Sequence, residues 1–118
     1  MKKMYYLANC TTCQAIIQET GVVKEGLTMQ DIKTEKISPQ ELDEMKKLAG
    51  SYEALFSRRA MKYKEWGLKD KQLAEADYRH YILEEYTFLK RPVTILGDKI
   101  FIGNDKKTVQ ALKNALEQ

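Results

Sequence analysis

The sequence predicts an α/β domain with the element order β-α-β, a helical middle, then β-β-α. Three observations carry that prediction. Short β-rich runs occur near the two ends of the chain, at 3–8, 27–32, 93–96 and 99–102. Helical periodicity follows the first and the last of these runs and also occupies the segment between the two halves. At 118 residues the chain has the size of one compact domain, long enough to bury a core and short for two.

The stretch from Lys3 to Ala8 is short, rich in Tyr and Leu, and ends at Asn9, which predicts a buried strand and a turn. From Thr11 to Thr20 the residues Cys13, Ile16, Ile17 and Thr20 recur at helical spacing, and Gly21 follows where a helix-terminating glycine belongs. Gly26 opens a second strand over Leu27–Ile32. Ser38-Pro39-Gln40-Glu41 is a helix start: serine as N-cap, proline at the first helical position, and glutamate three residues after the cap. Leu42, Met45, Leu48 and Ala49 then share one face, and Gly50 stops the helix. Tyr52 to Phe56 predicts a short helical turn ahead of Arg58 and Arg59. One long helix is expected from Glu75 to Leu89, with Tyr78, Tyr81, Ile82, Glu85 and Leu89 on a common side. Val93–Leu96, Gly97-Asp98 and Lys99–Ile102 read as a hairpin. Asp105 opens a closing amphipathic helix carrying Val109, Leu112 and Leu116.

Composition narrows the function classes. The net charge of +3 comes from 20 basic and 17 acidic groups interleaved along the chain, with no basic stripe of the kind a dedicated nucleic-acid binder shows. No direct nucleic-acid partner is therefore expected. No apolar run approaches the roughly 18 residues needed to span a bilayer, and the opening MKKMYYLANC lacks the apolar core and cleavage site of a secretory signal. A cytoplasmic location with no membrane association is the expectation. Two cysteines exclude a disulfide-stapled secreted scaffold.

Those two cysteines, Cys10 and Cys13, form one C-x-x-C at the predicted start of a helix. Such a pair is a redox couple, half of a metal site, or chance. Structural zinc wants four ligands, and the chain offers two Cys and the distant His80, which is read as a surface residue; no metal site is expected. The redox reading has a physical basis. Unpaired N–H groups at a helix N-terminus favour thiolate over thiol and lower a cysteine pKa from about 8.5 into the range of roughly 3.5–7.5. Cys10 is then the activated sulfur, and Cys13, one turn deeper, can attack a mixed disulfide on it. Thr11 and Thr12, small and polar, leave the approach open. Further on, Arg91-Pro92 stands directly before a predicted strand, where the X–Pro bond is either cis or an ordinary trans bond. Tyr63 and Trp66 are read as packing anchors of the helical middle.

C-T-T-C at 10–13, D-I-K-T-E-K-I-S-P-Q-E-L at 31–42, L-F-S-R-R-A-M-K-Y-K-E-W-G-L at 55–68 and R-P-V-T-I-L-G-D-K-I-F-I-G at 91–103 cover most of the length in order. With them the chain resembles the arsenate reductase–related family of the thioredoxin-like superfamily, which also contains the Spx transcription regulators. The resemblance implies a thioredoxin-like (glutaredoxin-like) fold: βαβ and ββα halves in a single domain, 1–118, with a helical insertion at approximately 38–89. It implies that Cys10 is the nucleophile, that Pro92 is a cis-proline beside it, and that Arg91 helps to bind an oxyanion or a thiol-bound product. Arg59 matches an arginine of the Spx-like members, with Arg58 as the alternative one register step away. The presence of Cys13 is also a feature of the Spx-like branch.

The departures are specific. Arsenate reductases of this type carry three arginines around the cysteine. The late one would fall in Phe101–Lys106, where this chain has none, and the early one falls on Glu53. A tetrahedral oxyanion would lose charge-assisted, bidentate partners there.

The expected function is a thiol-disulfide oxidoreductase with Cys10 as nucleophile, Cys13 as resolving thiol and Arg91 stabilising the anionic partner. Thr11, Thr12, Arg59 and Pro92 stand on the substrate side. No bound cofactor is expected, glutathione/glutaredoxin or thioredoxin would donate electrons, and the partner would be a small thiol or redox protein. Two alternatives stand beside it: a glutathione/glutaredoxin-dependent arsenate reductase, and an Spx-like redox-sensing regulator that binds the RNA polymerase alpha subunit.

Overall fold

The computed structural model describes residues 1–118. Four strands, β1 (Lys2–Tyr6), β2 (Thr28–Asp31), β3 (Val93–Leu96) and β4 (Lys99–Ile102), form one sheet in the order β2-β1-β3-β4. β1 and β2 are parallel, with Lys3 opposite Thr28 and Tyr6 opposite Asp31. β3 runs antiparallel to both its neighbours, setting Met4 opposite Thr94 and Ile95 opposite Ile100. The α-helices are α1 (Thr11–Thr20), α2 (Pro39–Ala49), α3 (Met61–Glu65), α4 (Glu75–Glu84) and α5 (Lys106–Leu116), with short 3₁₀ turns at Glu53–Leu55, Leu68–Asp70 and Tyr86–Phe88. The chain groups into two compact units, Met1–Lys36 with Arg91–Gln118, and Ile37–Lys90.

The first unit contains the sheet. Parallel pairing of β1 with β2 demands a crossover, and α1 supplies it. Met4 from β1, Ile16 from α1, Val22 and Leu27 from the return loop, and Val109 and Leu112 from α5 make a buried cluster, with Tyr6, Met29, Leu96 and Phe101 packed against it. Tyr5, Val93 and Ile95 point to the opposite face and are also buried, as the alternation of side chains along a strand requires. Both faces of β1 and β3 are thus apolar, which suits strands in the middle of a sheet. Each fully buried side chain of this kind stabilises the fold by roughly 1.5–3 kcal/mol. α1 stops at Gly21, whose φ of 71° lets its N–H reach the Ile17 carbonyl. Between β3 and β4, Gly97 provides the positive φ that a two-residue hairpin turn needs at its first central position.

In the second unit the helix start at Ser38 forms as the sequence predicts. The Glu41 amide donates to Ser38 Oγ at 3.0 Å, and the Ser38 amide donates to Glu41 Oε1 at 2.9 Å. An aromatic cluster follows. Phe56 stacks on Phe88 at 5.0 Å, Tyr78 leans on Phe56 at 4.9 Å, and Trp66 meets Phe88 edge-on at 5.4 Å. Tyr63 also meets Phe56 edge-on, so Tyr63 and Trp66 are packing residues.

Three expectations need correction. The long helix over 75–89 does not form: α4 ends at Glu84, Glu85 is extended (φ −135°, ψ 112°), and a 3₁₀ turn follows. The Glu85 carboxylate explains the break, because it accepts from both the amide and the hydroxyl of Thr87 and so caps a new turn. β1 begins at Lys2 and ends at Tyr6, not at Ala8, since Leu7 already belongs to the turn that its carbonyl closes with the Cys10 amide, and β2 is one residue shorter at each end than 27–32. α3 and the turn at Leu68–Asp70 fall within the expected helical insertion, in a stretch where no individual element was placed. No helix is long and apolar enough to cross a membrane.

Candidate active site

β1 delivers the chain to a tight turn. Leu7 is buried, Ala8 and Asn9 are exposed, and the Cys10 amide donates to the Leu7 carbonyl at 3.2 Å. Cys10 is the N-cap of α1. Its backbone is extended (φ −102°, ψ 114°), and its carbonyl accepts the first helical hydrogen bond, from Gln14, at 3.1 Å. Where a serine or aspartate would place an oxygen, Cys10 places sulfur: the Cys13 amide donates to Cys10 Sγ at 3.4 Å. The two cysteines are close but not bonded to each other.

The pair is chemically asymmetric. Partial burial pushes the Cys10 thiol up, but the Cys13 and Thr12 hydrogen bonds and the Arg91 charge outweigh it, and the net effect lies below the ordinary cysteine value. Cys13 is fully buried. Burial pushes its thiol up to about 11, against the pull of the Leu7 backbone and with a further push from Cys10. The arrangement therefore favours the thiolate at Cys10 over that at Cys13, which keeps its proton at neutral pH.

Arg91 acts on both sulfurs through its charge. The Arg91–Pro92 bond is cis, the first of the two forms the sequence left open. Pro92 is buried, and its carbonyl accepts from the Gly103 amide at 2.9 Å, extending the β3–β4 ladder by one bond. Thr11 and Thr12 are exposed on the first turn of α1. Thus Cys10, Thr11, Thr12, Cys13, Arg91 and Pro92 all belong to the sheet unit, whereas Arg59 belongs to the 37–90 unit and is exposed there. Its neighbour Arg58 is engaged, donating to Glu53 Oε2 at 2.8 Å and to the Tyr78 hydroxyl at 2.9 Å. His80 is exposed and pairs with Glu84 at 2.9 Å. No cluster of His, Cys, Asp or Glu could hold a metal ion.

One residue of the site was not legible beforehand. Gln14 donates through Nε2 to the Ala8 carbonyl at 2.9 Å, bridging α1 and the loop before Cys10. Its only signal in the sequence is an amide four residues after the cap, on the exposed side of the helix.

The ArsC family model matches residues 5–112, most of the chain. The chain belongs to the ArsC family. Solved structures with the same fold include an arsenate reductase from Vibrio cholerae (20% identity, TM-score 0.74, covering 94% of this chain and 96% of that one). An arsenate reductase-related protein from Brucella melitensis is 21% identical, with a TM-score of 0.71 and coverage of 93% and 92%. A protein from Staphylococcus aureus is 26% identical, with a TM-score of 0.70 and coverage of 94% and 97%. A search of curated proteins finds no match. The ArsC-like neighbours share the thioredoxin fold, so the βαβ and ββα halves described above are those of a thioredoxin-like protein, and the family is a thiol-dependent, reductase-like one.

Proposed function

We propose that this ArsC-family chain is a thiol-disulfide oxidoreductase working in a reducing cytoplasm. The observation that carries the reading is the asymmetric pair at the head of α1: a sulfur capped by an amide and acted on by a cation, with a buried, protonated sulfur one turn behind. The Cys10 thiolate attacks one sulfur of a disulfide R–S–S–R′, forming a Cys10–S–S–R bond and expelling R′S⁻. Cys13 then attacks Cys10 Sγ, its proton passing to the departing sulfur, so that the Cys10–Cys13 disulfide forms and RSH leaves. Two electrons have passed from the dithiol to the substrate. Reduced glutathione with glutaredoxin, or thioredoxin, returns them; no bound cofactor takes part.

Arg91 stabilises the departing thiolate, and Thr11, Thr12 and Pro92 line the approach of the substrate. Glu53 and the arginine-free stretch Phe101–Lys106 support a disulfide as substrate in preference to arsenate, because a multiply charged oxyanion needs more cationic donors than Arg91 alone. The test is a pair of variants in a disulfide-reduction assay. Cys10→Ser should abolish both half-reactions, while Cys13→Ser should form the mixed disulfide and stall there. Mixed-disulfide formation by Cys10→Ser, or its absence in Cys13→Ser, would remove the assignment, and efficient arsenate reduction by the wild type would move it to the arsenate branch of the family.

A further inference from the structure

We propose that Gln14 is a positioning residue for Cys10, its side-chain amide clamping the loop that leads into the reactive sulfur. The inference rests on the reading of Cys10 as nucleophile. The acceptor is the Ala8 carbonyl, which has no proton to give, so the nitrogen of the Gln14 amide must face it, as the 2.9 Å contact from Nε2 has it. Ala8 lies two residues before Cys10 and Gln14 four after it, so this one bond spans the whole turn that carries the sulfur.

The rest of that turn is held by two backbone bonds, from the Cys10 amide to the Leu7 carbonyl and from the Gln14 amide to the Cys10 carbonyl. Neither touches the Ala8–Asn9 peptide. Ala8 and Asn9 are exposed, so packing does not restrain them. Released from Gln14, the Ala8 carbonyl turns to water, the peptide between Ala8 and Asn9 gains freedom, and Cys10 follows as the next residue. The contact from the Cys13 amide to Cys10 Sγ, at 3.4 Å an ordinary length for a sulfur acceptor, changes with any such rotation of Cys10. Gln14 is itself exposed, and an exposed first-turn position is served by any good helix former. Gln is one of those helix formers, and what singles out its amide is the bond to the loop. The charged or titrating groups that act on Cys10 are Cys13 and Arg91, and Gln14 adds no charge of its own.

Two substitutions separate positioning from mere support of the fold. Gln14→Met keeps length and helix propensity but removes the donor. Gln14→Lys restores a donor of similar reach, and measuring it at high salt screens the added charge. Thiolate absorbance is titrated against pH, iodoacetamide alkylation of Cys10 is timed at neutral pH, and urea unfolding is followed in parallel. Losing one hydrogen bond should slow alkylation in Gln14→Met by roughly 3–10-fold and move the thiolate titration upward, with Gln14→Lys restoring both. An unshifted titration in Gln14→Met, with or without a lower urea midpoint, overturns the proposal, as does a shift that Gln14→Lys leaves in place. A wild-type Cys10 that titrates like an ordinary cysteine overturns instead the reading of Cys10 on which the proposal rests.

Discussion

Burial holds the Cys13 proton, pushing the thiol up to about 11 although the Leu7 backbone pulls the other way. In the unfolded chain the same thiol titrates near the ordinary 9.0, so the native state binds this proton more tightly than the unfolded state does. The stability gained is fully present below about 9 and is lost as pH rises through about 11. Its size is on the order of 2 kcal/mol, from the free energy of a pKa displacement. Urea unfolding of the wild type and of Cys13→Ala across that window checks it: the wild type should lose stability more steeply, and parallel curves would show that Cys13 titrates normally. For Cys10 the sign reverses, because its thiol is lowered and any stability it adds is lost as pH falls. The sequence could place the two sulfurs on one helix start, because capping is local. It could not tell Arg58 from Arg59, because the Glu53 and Tyr78 groups that engage Arg58 are brought to it by the fold, Tyr78 from twenty residues away.

Local chemistry also explains which elements could be read in advance. α1, α2 and the β3–β4 hairpin carry their own start and stop signals in Cys10 and Gly21, in Ser38-Pro39 and Gly50, and in Gly97-Asp98. The break after α4 depends on a glutamate side chain bonding to Thr87, which periodicity does not register. A comparable device ties α4 to the 3₁₀ turn at Glu53–Leu55. Glu75 Oε1 accepts from the Tyr52 amide at 2.7 Å and Oε2 from the Glu53 amide at 3.1 Å, so one carboxylate satisfies two amides at the start of that turn. Glu75→Ala should destabilise the protein by about 1–2 kcal/mol, in the range of a lost helix cap. The amides of residues 52–54 should then exchange faster with solvent, and unchanged exchange there would show the turn to be held by other contacts.

At the scale of the molecule, the order of elements was legible because each strand and each long helix announces itself within a few residues. The content of the 37–90 unit was less so, because its cohesion comes from pairs such as Phe56 with Phe88 and Trp66 with Phe88 that are distant in sequence. In the sheet, β1 and β3 are flanked on both edges and buried on both faces, whereas β2 and β4 are edge strands. Native-state hydrogen exchange should therefore find the slowest amides in Lys2–Tyr6 and Val93–Leu96; equal or greater protection in β4 would contradict this assignment of the stable core. α1 packs against that core through Ile16, near its middle, and carries the capping sulfur of Cys10 at its N-terminus. An ordinary cap is chemically silent for the lifetime of the protein, but under the proposed function this one changes its bonding each time a disulfide forms or breaks. On the proposed chemistry the first turn of a core helix is thus rewritten with each cycle, and the oxidation state of the two sulfurs is stored as hydrogen-bond strength in the scaffold.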